Sequence, residues 1–266
     1  MPRIDRTQGR QLFGADPAAY DLGRPGHSPL VYEVLVERCG LGPGTSVIEV
    51  GPGTGQATRR LLELGADPNR GRRAEPFAGG VPRGEVRRPT GARTGELGRG
   101  GSRTEEVRPR RSRIVVPRVD ERVGLARLVT VLRPGGWCAI WWTLFGDDGP
   151  PDPFITATSP LLDGLDTSPT KGEEGRPRHA LDRERRLSAL VVAGFVDVEH
   201  ELATWEARWD AMGIRALYGS FSPILALDEA RREAILDEIA RIASDEFDGC
   251  VTRRLTTSVY TARKPS

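Results

Sequence analysis

Residues 47–56 read Val47-Ile48-Glu49-Val50-Gly51-Pro52-Gly53-Thr54-Gly55-Gln56, and here residue types and spacing most clearly prepare for chemistry. Three glycines stand two apart, with Glu49 two before the first. Such glycines let the backbone approach a ligand, and a helix opening directly behind them offers N–H groups that no earlier turn has used. A strand, glycine loop and helix in that order bind nucleoside-bearing cofactors. The spacing differs from the dinucleotide pattern GxGxxG, whose third glycine lets the helix pack closely on the strand. A bare tight turn between strand and helix is the other reading of the same residues.

The elements that must hold this loop follow from local periodicity. Leu30, Val31, Val34, Leu35 and Arg38 recur at helical spacing over 29–38, with Pro29 suited to a first turn. Gly40 and the Gly42-Pro43-Gly44 turn end that helix, and Thr45–Val50 reads as a β-branched strand. Gln56–Leu64 is predicted helical and closed by Gly65. A further helix is expected over 119–132, stopped by Arg133-Pro134-Gly135-Gly136. The strand Trp137–Leu144 after it is apolar on both faces, as a strand inside a covered sheet must be. Residues 146–180 are rich in Gly, Pro and Asp and read as a long loop or irregular insertion. Helices over 181–193, 209–218 and 228–243, and strands over 195–202 and 254–263, complete an alternation that predicts an α/β, Rossmann-like doubly wound sheet.

On these residues the chain resembles the class I S-adenosylmethionine (SAM)-dependent methyltransferases, whose loop follows the pattern ExGxGxG. The resemblance implies that Gly51, Pro52, Gly53, Thr54, Gly55 and Gln56 wrap the methionine part of SAM, and that Glu49 helps to hold its amino group. Val131-Leu132-Arg133-Pro134-Gly135-Gly136-Trp137 is similar to the family's turn into strand 5. Val192-Ala193-Gly194-Phe195 resembles the entry to strand 6, and Ser258-Val259-Tyr260-Thr261-Ala262-Arg263 the closing antiparallel strand 7. Tyr20-Asp21-Leu22-Gly23-Arg24-Pro25 resembles the N-terminal lid of the small-molecule, trans-aconitate-methyltransferase-like subgroup. That likeness implies that Tyr20, Arg24 and His27 belong to a lid or substrate pocket. It covers residues 12–68 and 119–266 and implies a single methyltransferase domain over 1–266. Its parts are a lid and helix over 1–44, a loop unit over 45–68 and a C-terminal half over 119–266.

Residues 69–118 depart from the family. They hold 14 Arg, no Lys and 5 Glu, a local charge of +9 against −7 for the remainder. Only 11 of the 50 residues are apolar, and Gly, Arg and Pro break every period. Such a stretch buries too little surface to offset its ordering entropy. The family requires an acidic residue at the end of strand 2 and an Asp-Leu-Val-like run in strand 4, and neither is present. Strands 2–4 are therefore expected to be degraded, although the stretch keeps the length they need. Two compensating single-base shifts in a GC-rich gene would produce that combination. With codons chosen to suit and the frame moved one base, the run ending at Pro82 becomes Val-Glu-Pro-Ser-Pro-Ser-Leu-Ala-Ala-Phe. The run from Arg111 to Asp120, with one base restored, becomes Asp-Leu-Val-Ser-Ser-Phe-His-Trp-Val-Asp.

The arginine-rich stretch has no interleaved aromatic residues and no nucleic-acid-binding signature, so a nucleic-acid partner is not expected. No apolar run has membrane-spanning length and no leader precedes the chain, so a cytoplasmic protein without a membrane partner is expected. Cys39, Cys138 and Cys250 read as reduced, buried residues, and no CxxC or HxxxH spacing suggests a metal. His200 reads as structural and His27, near the lid, as the site histidine, with His179 the third candidate. Trp141, Trp142, Trp205 and Trp209 read as core. No obligatory catalytic residue follows from the residues, and no pattern encodes an oligomeric state. The leading function is transfer of a methyl group from SAM to a small-molecule acceptor. A non-catalytic methyltransferase-like protein is the second reading, because the ribose-binding half is missing. A NAD-dependent oxidoreductase is the third, opposed by the glycine spacing and the lack of a Tyr-x-x-x-Lys pair.

Overall fold

The computed structural model describes residues 17–67, 112–117, 121–146, 152–165 and 177–266. Helices α1 (Pro17–Gly23) and α2 (Pro29–Glu37) precede β1 (Thr45–Val50), α3 (Gln56–Glu63) and β2 (Ala66–Asp67). Then come β3 (Ser112–Pro117), α4 (Glu121–Val131), β4 (Leu132–Phe145), α5 (Pro153–Leu162) and α6 (Arg183–Val192). The chain ends with β5 (Val196–Asp210), α7 (Ala211–Gly219), α8 (Ser222–Leu225), α9 (Glu229–Glu246) and β6 (Cys250–Arg263).

Local chemistry accounts for most of these boundaries. Pro29 lies in the first turn of α2, where its missing N–H costs nothing, and Val31, Val34 and Leu35 are buried at helical spacing. Asp152, Asp182, Asp210 and Asp228 cap α5, α6, α7 and α9, each carboxylate accepting the N–H three residues on. Gly65 takes φ +91 at the end of α3, and a Cβ there would stand 2.7 Å from Pro43 Cα, so only glycine fits.

The strands form one sheet in the order β2-β1-β3-β4-β6-β5, parallel from β2 to β4 and antiparallel at β6 and β5. Helices cover both faces. Val31, Val34 and Leu35 of α2, with Ala57 and Leu61 of α3, pack on Val47, Ala139, Trp141 and Val259. On the opposite face Leu125 and Leu128 of α4 and Leu190 of α6 pack on Cys138, Tyr260 and Ala262. A third apolar cluster joins Phe154 of α5, Ile214 and Leu217 of α7 and Ile239 of α9 to Trp209, Val251 and Leu255. This last group forms a cap at the end of the sheet where β3 and β4 finish. The doubly wound α/β fold expected from the alternation is the fold observed.

Several expectations are corrected. Strands 2–4 were expected to be degraded, yet Ser112–Pro117 pairs with both β1 and β4. The β-branched run Ile114-Val115-Val116 suits a strand, and averaging composition over 50 residues hid it. The other residues of 69–118 lie outside the described residues, as do residues 118–120, where the predicted helix begins. The stretch 146–180, read as irregular, contains α5, started by Asp152 and by Pro153 in the first turn. Strand β5 runs to Asp210, eight residues beyond its expected end. Trp209 consequently belongs to a strand, and α7 starts after it. Cys250 is exposed, whereas Cys39 and Cys138 are buried as expected, with burial pushing the Cys39 thiol up to about 12.

Leu255 and Leu202 separate burial from position in the sheet. Leu255 is fully buried on β6, whereas Leu202 on the edge strand β5 is 53% exposed. Leu255→Ala is expected to destabilise the fold by about 2–5 kcal/mol. Leu202→Ala should stay within roughly 0.5 kcal/mol, measured by denaturant unfolding.

Candidate functional site

The chain runs from β1 to β2 on one side of the sheet and to β3 on the other, so its order reverses between β1 and β3. Open parallel sheets bind ligands at that point, beyond the carboxyl ends of the strands. The glycine loop leaves β1 at this edge, where Val50 pairs with Pro117. Gly51, Gly53 and Gly55 have φ of +73, +58 and +86, a region that side chains with a Cβ rarely adopt. Gly51, Pro52 and Gly53 are exposed, and Thr54, Gly55 and Gln56 are partly covered. Gly55 begins α3 without a side-chain cap, and the Arg59 N–H donates to the Gly55 carbonyl at 2.9 Å. Amide groups ahead of Arg59 thus sit where an anion is favoured by both hydrogen bonding and the helix dipole.

Glu49 stands beside this loop, its carboxylate accepting a 2.5 Å hydrogen bond from Thr58 Oγ1 in the first turn of α3. The structure thus brings together all the predicted cofactor residues, Glu49 through Gln56. Thr58 was missed by sequence reasoning, since nothing in its spacing marks it as the partner of Glu49. Asp67 ends β2 opposite Ser46, four residues short of the level of Val50. At roughly 3.3 Å per residue it lies about 13 Å from the loop end of the sheet. It therefore lies away from the glycine loop, and the residues that follow it lie outside the described residues.

Helix α1 docks against the loop. Thr54 Oγ1 donates to the Asp21 carboxylate, and Gln56 Nε2 donates to the Arg24 carbonyl at 3.2 Å. Arg59 lies 3.7 Å from Asp21. Tyr20 and Arg24 lie against each other, and His27 lies against Trp141. The Arg24 guanidinium packs among the rings of Tyr20, Phe145 and Phe221, with centroids 5.1–5.7 Å away. Its Nε donates to Ser220 Oγ at 2.8 Å. Sequence reasoning placed Arg24 in the lid but not its side chain in the cap, because Ser220 is 196 residues away. His27 meets Trp141, whose Nε1 donates to His27 Nδ1 at 3.2 Å, so the neutral ring carries its proton on Nε2.

The other two histidines lie on the opposite face of the sheet. Ser258 Oγ gives its proton to the Ala180 carbonyl, so His200 Nε2 donates to it at 2.8 Å. His200 also stacks on Tyr260 at 4.3 Å, as befits a structural residue. Arg186 Nη1 lies 2.9 Å from His179 Nε2. Trp141 and Trp209 are buried and Trp142 and Trp205 partly so, consistent with core roles. Arg253, only 4% exposed, pairs with Asp152 at 3.0 Å and packs over Phe145 and Tyr218. This pair ties α5 to β6 and was not anticipated. Among the described residues no group of three His, Cys, Asp or Glu could hold a metal ion, and no helix is long and apolar enough to cross a membrane.

No protein-family model matches the chain, and no curated protein matches it in sequence. Solved structures do resemble it. A putative type II methyltransferase from Anaeromyxobacter dehalogenans is 16% identical with a TM-score of 0.46, over 91% of this chain and 97% of that one. A SAM-dependent methyltransferase from Geobacter sulfurreducens, in complex with S-adenosyl-L-homocysteine, is 14% identical with a TM-score of 0.37, over 96% and 98%. Phosphoethanolamine N-methyltransferase 2 from Haemonchus contortus is 13% identical with a TM-score of 0.41 over 99% of this chain. The chain spans 59% of the length of that last protein.

Two expected outcomes follow from the packing around the site. A Cβ on Gly23 would stand 2.3 Å from Leu217 N, a backbone atom that cannot turn aside. Gly23→Ala is expected to lift α1 off α7 at a cost of about 1–3 kcal/mol, read as faster proteolytic cleavage near α1. Burial, and secondarily the charge of Arg183, lowers the His200 pKa. The folded state then binds fewer protons than the unfolded one. The stability this contributes is present above roughly pH 6.5 and is lost as pH falls through the lowered folded value. Thermal midpoints between pH 7 and pH 5 should fall less steeply in His200→Gln than in the unmutated protein.

Proposed function

We propose that this chain is a SAM-dependent methyltransferase acting on a small-molecule acceptor. The observation that carries the reading is the loop 51–55, three positive-φ glycines at the switch point of a doubly wound sheet, with Glu49 beside it. The residues present fit the zwitterionic methionine part of SAM. Glu49 is suited to its ammonium group, and the uncapped start of α3 to its carboxylate. Exposed glycines leave room for close approach of the backbone. When bound, SAM supplies an electrophilic methyl group on a sulfonium. The protein's part is then to orient the acceptor in line and to exclude water, which the lid α1 and the cap are placed to do. Tyr20 and His27 are the lid residues we assign to the acceptor side. A nucleic-acid partner, a metal and a membrane are not part of this proposal.

The second reading, a non-catalytic methyltransferase-like protein, is favoured by the sequence of residues 69–118, which lacks the acidic strand end and the Asp-Leu-Val-like run that the resemblance implies. We further propose that the frame between codons 69 and 118 has shifted and that restoring it supplies this carboxylate.

Calorimetric titration with SAM tests the main reading. The unmutated protein should bind, and Gly53→Val should lose binding, because the side chain fills the cradle and φ +58 costs it roughly 1–2 kcal/mol. Equal SAM affinity in the two proteins would remove the loop from the site. Thermal unfolding gives the second comparison, since SAM raises the midpoint only of a state that binds it. A frame-restored chain is expected to show the larger rise. Methyl transfer to a panel of small acids and amines separates the catalytic from the non-catalytic reading.

A further inference from the structure

Arg24 makes contacts in two directions, and this has a consequence for ligand binding. Its backbone carbonyl accepts from Gln56, the residue that leaves the glycine loop. Its side chain reaches away from the loop, among Phe221 of the cap, Phe145 at the end of β4 and Tyr20 of the lid itself. Ser220 Oγ donates its own proton to the Leu217 carbonyl at 2.6 Å, which turns a lone pair toward Arg24 Nε. The neighbouring residues repeat the division. Asp21 holds Thr54 in the loop, whereas the Gly23 carbonyl accepts from Trp209 Nε1 at 2.7 Å and the Gly23 backbone lies against Leu217 of α7. Contacts from Asp21, Gly23 and Arg24 therefore link the loop to the cap through one short segment.

Resting on the reading of loop 51–55 as a SAM site, we propose that Arg24 is a positioning residue for that loop, its side chain anchored in the cap so that its carbonyl holds Gln56. The guanidinium itself touches no residue of the loop in these contacts. When the cap holds it, the Arg24 carbonyl is set where Gln56 can donate to it, and the loop is ordered before its ligand arrives. Ordering the loop in advance removes part of the entropic cost of binding.

The test is SAM affinity by calorimetry in the full chain. The proteins are the unmutated form, Arg24→Ala, Arg24→Lys, Ser220→Ala and the double variant Arg24→Ala/Ser220→Ala. Ser220→Ala guards against a fold defect in the lid variant, since it alters only the cap. Arg24→Ala and Ser220→Ala should each weaken SAM, by roughly 5- to 150-fold for the first and less for the second. The double variant should bind no more weakly than Arg24→Ala alone, and Arg24→Lys should recover part of the loss by restoring the charge among the rings. A merely structural Arg24 would lower the melting temperature and leave the affinity of the folded protein unchanged, which overturns the proposal. Additive losses in the double variant overturn it as well. Failure of the unmutated protein to bind SAM would instead overturn the SAM reading and this inference with it.

Discussion

Strand β6 is the constraint on which the rest of the molecule depends. It lies between β4 and β5, pairing with β4 from Trp137↔Arg263 to Phe145↔Leu255 and with β5 as far as Asp210↔Cys250. From Leu255 to Ala262 every residue is buried, so both faces of the strand serve a core. Val259 packs under α2 and α3, Tyr260 and Ala262 under α4 and α6, and Val251 and Leu255 under the cap. All three apolar clusters thus share this one strand, the last in the chain. Its position also fixes where β4 and β5 end, and hence where the rings of Phe145 and Trp209 meet, with centroids 6.4 Å apart.

Five polar residues on β6, Arg253, Thr256, Thr257, Ser258 and Tyr260, have defined partners. Thr257 bonds Thr143 and Trp205, Ser258 and Tyr260 bond the Ala180 carbonyl, and Arg253 pairs with Asp152. Burying such groups unpaired would be costly, and burying one ion of a pair more so. The loop before α6 and the start of α5 are therefore held to the sheet by specific bonds as well as by apolar packing. At the loop end of β1, Gly51, Pro52 and Gly53 are exposed. The glycine loop lies there, with the lid drawn against it from one side.

Legibility differed between the two halves of the site. The loop 51–55 was readable because glycine spacing is a local, short-range pattern with a direct conformational meaning. Strands Thr45–Val50 and Trp137–Leu144 were equally readable from runs of β-branched and aromatic residues. By contrast, Ser112–Pro117 was hidden inside an arginine-rich stretch whose average composition pointed away from a strand. Its pairing with β1 and β4 depends on partners some 20 to 70 residues away, a separation that local propensity does not sense. The overlong β5 has the same explanation, since its alternation persists to Trp209 only because β6 is there to pair with it.

By itself, then, the sequence determined local units: the helix stops at Gly65 and Gly194, and the strand, glycine loop and helix that define the candidate site. Each of these is settled by backbone sterics or by a hydrogen bond spanning three or four residues. Only the tertiary structure decided that the Arg24 side chain packs against Ser220 and Phe221 of the cap. It also decided that His27 meets Trp141 and that Asp67 falls short of the end of the sheet. Those placements depend on strand register and on helix docking between segments up to 196 residues apart. A side chain's partner at that range is set by which apolar faces must be buried together, a property of the whole chain and of no single stretch within it.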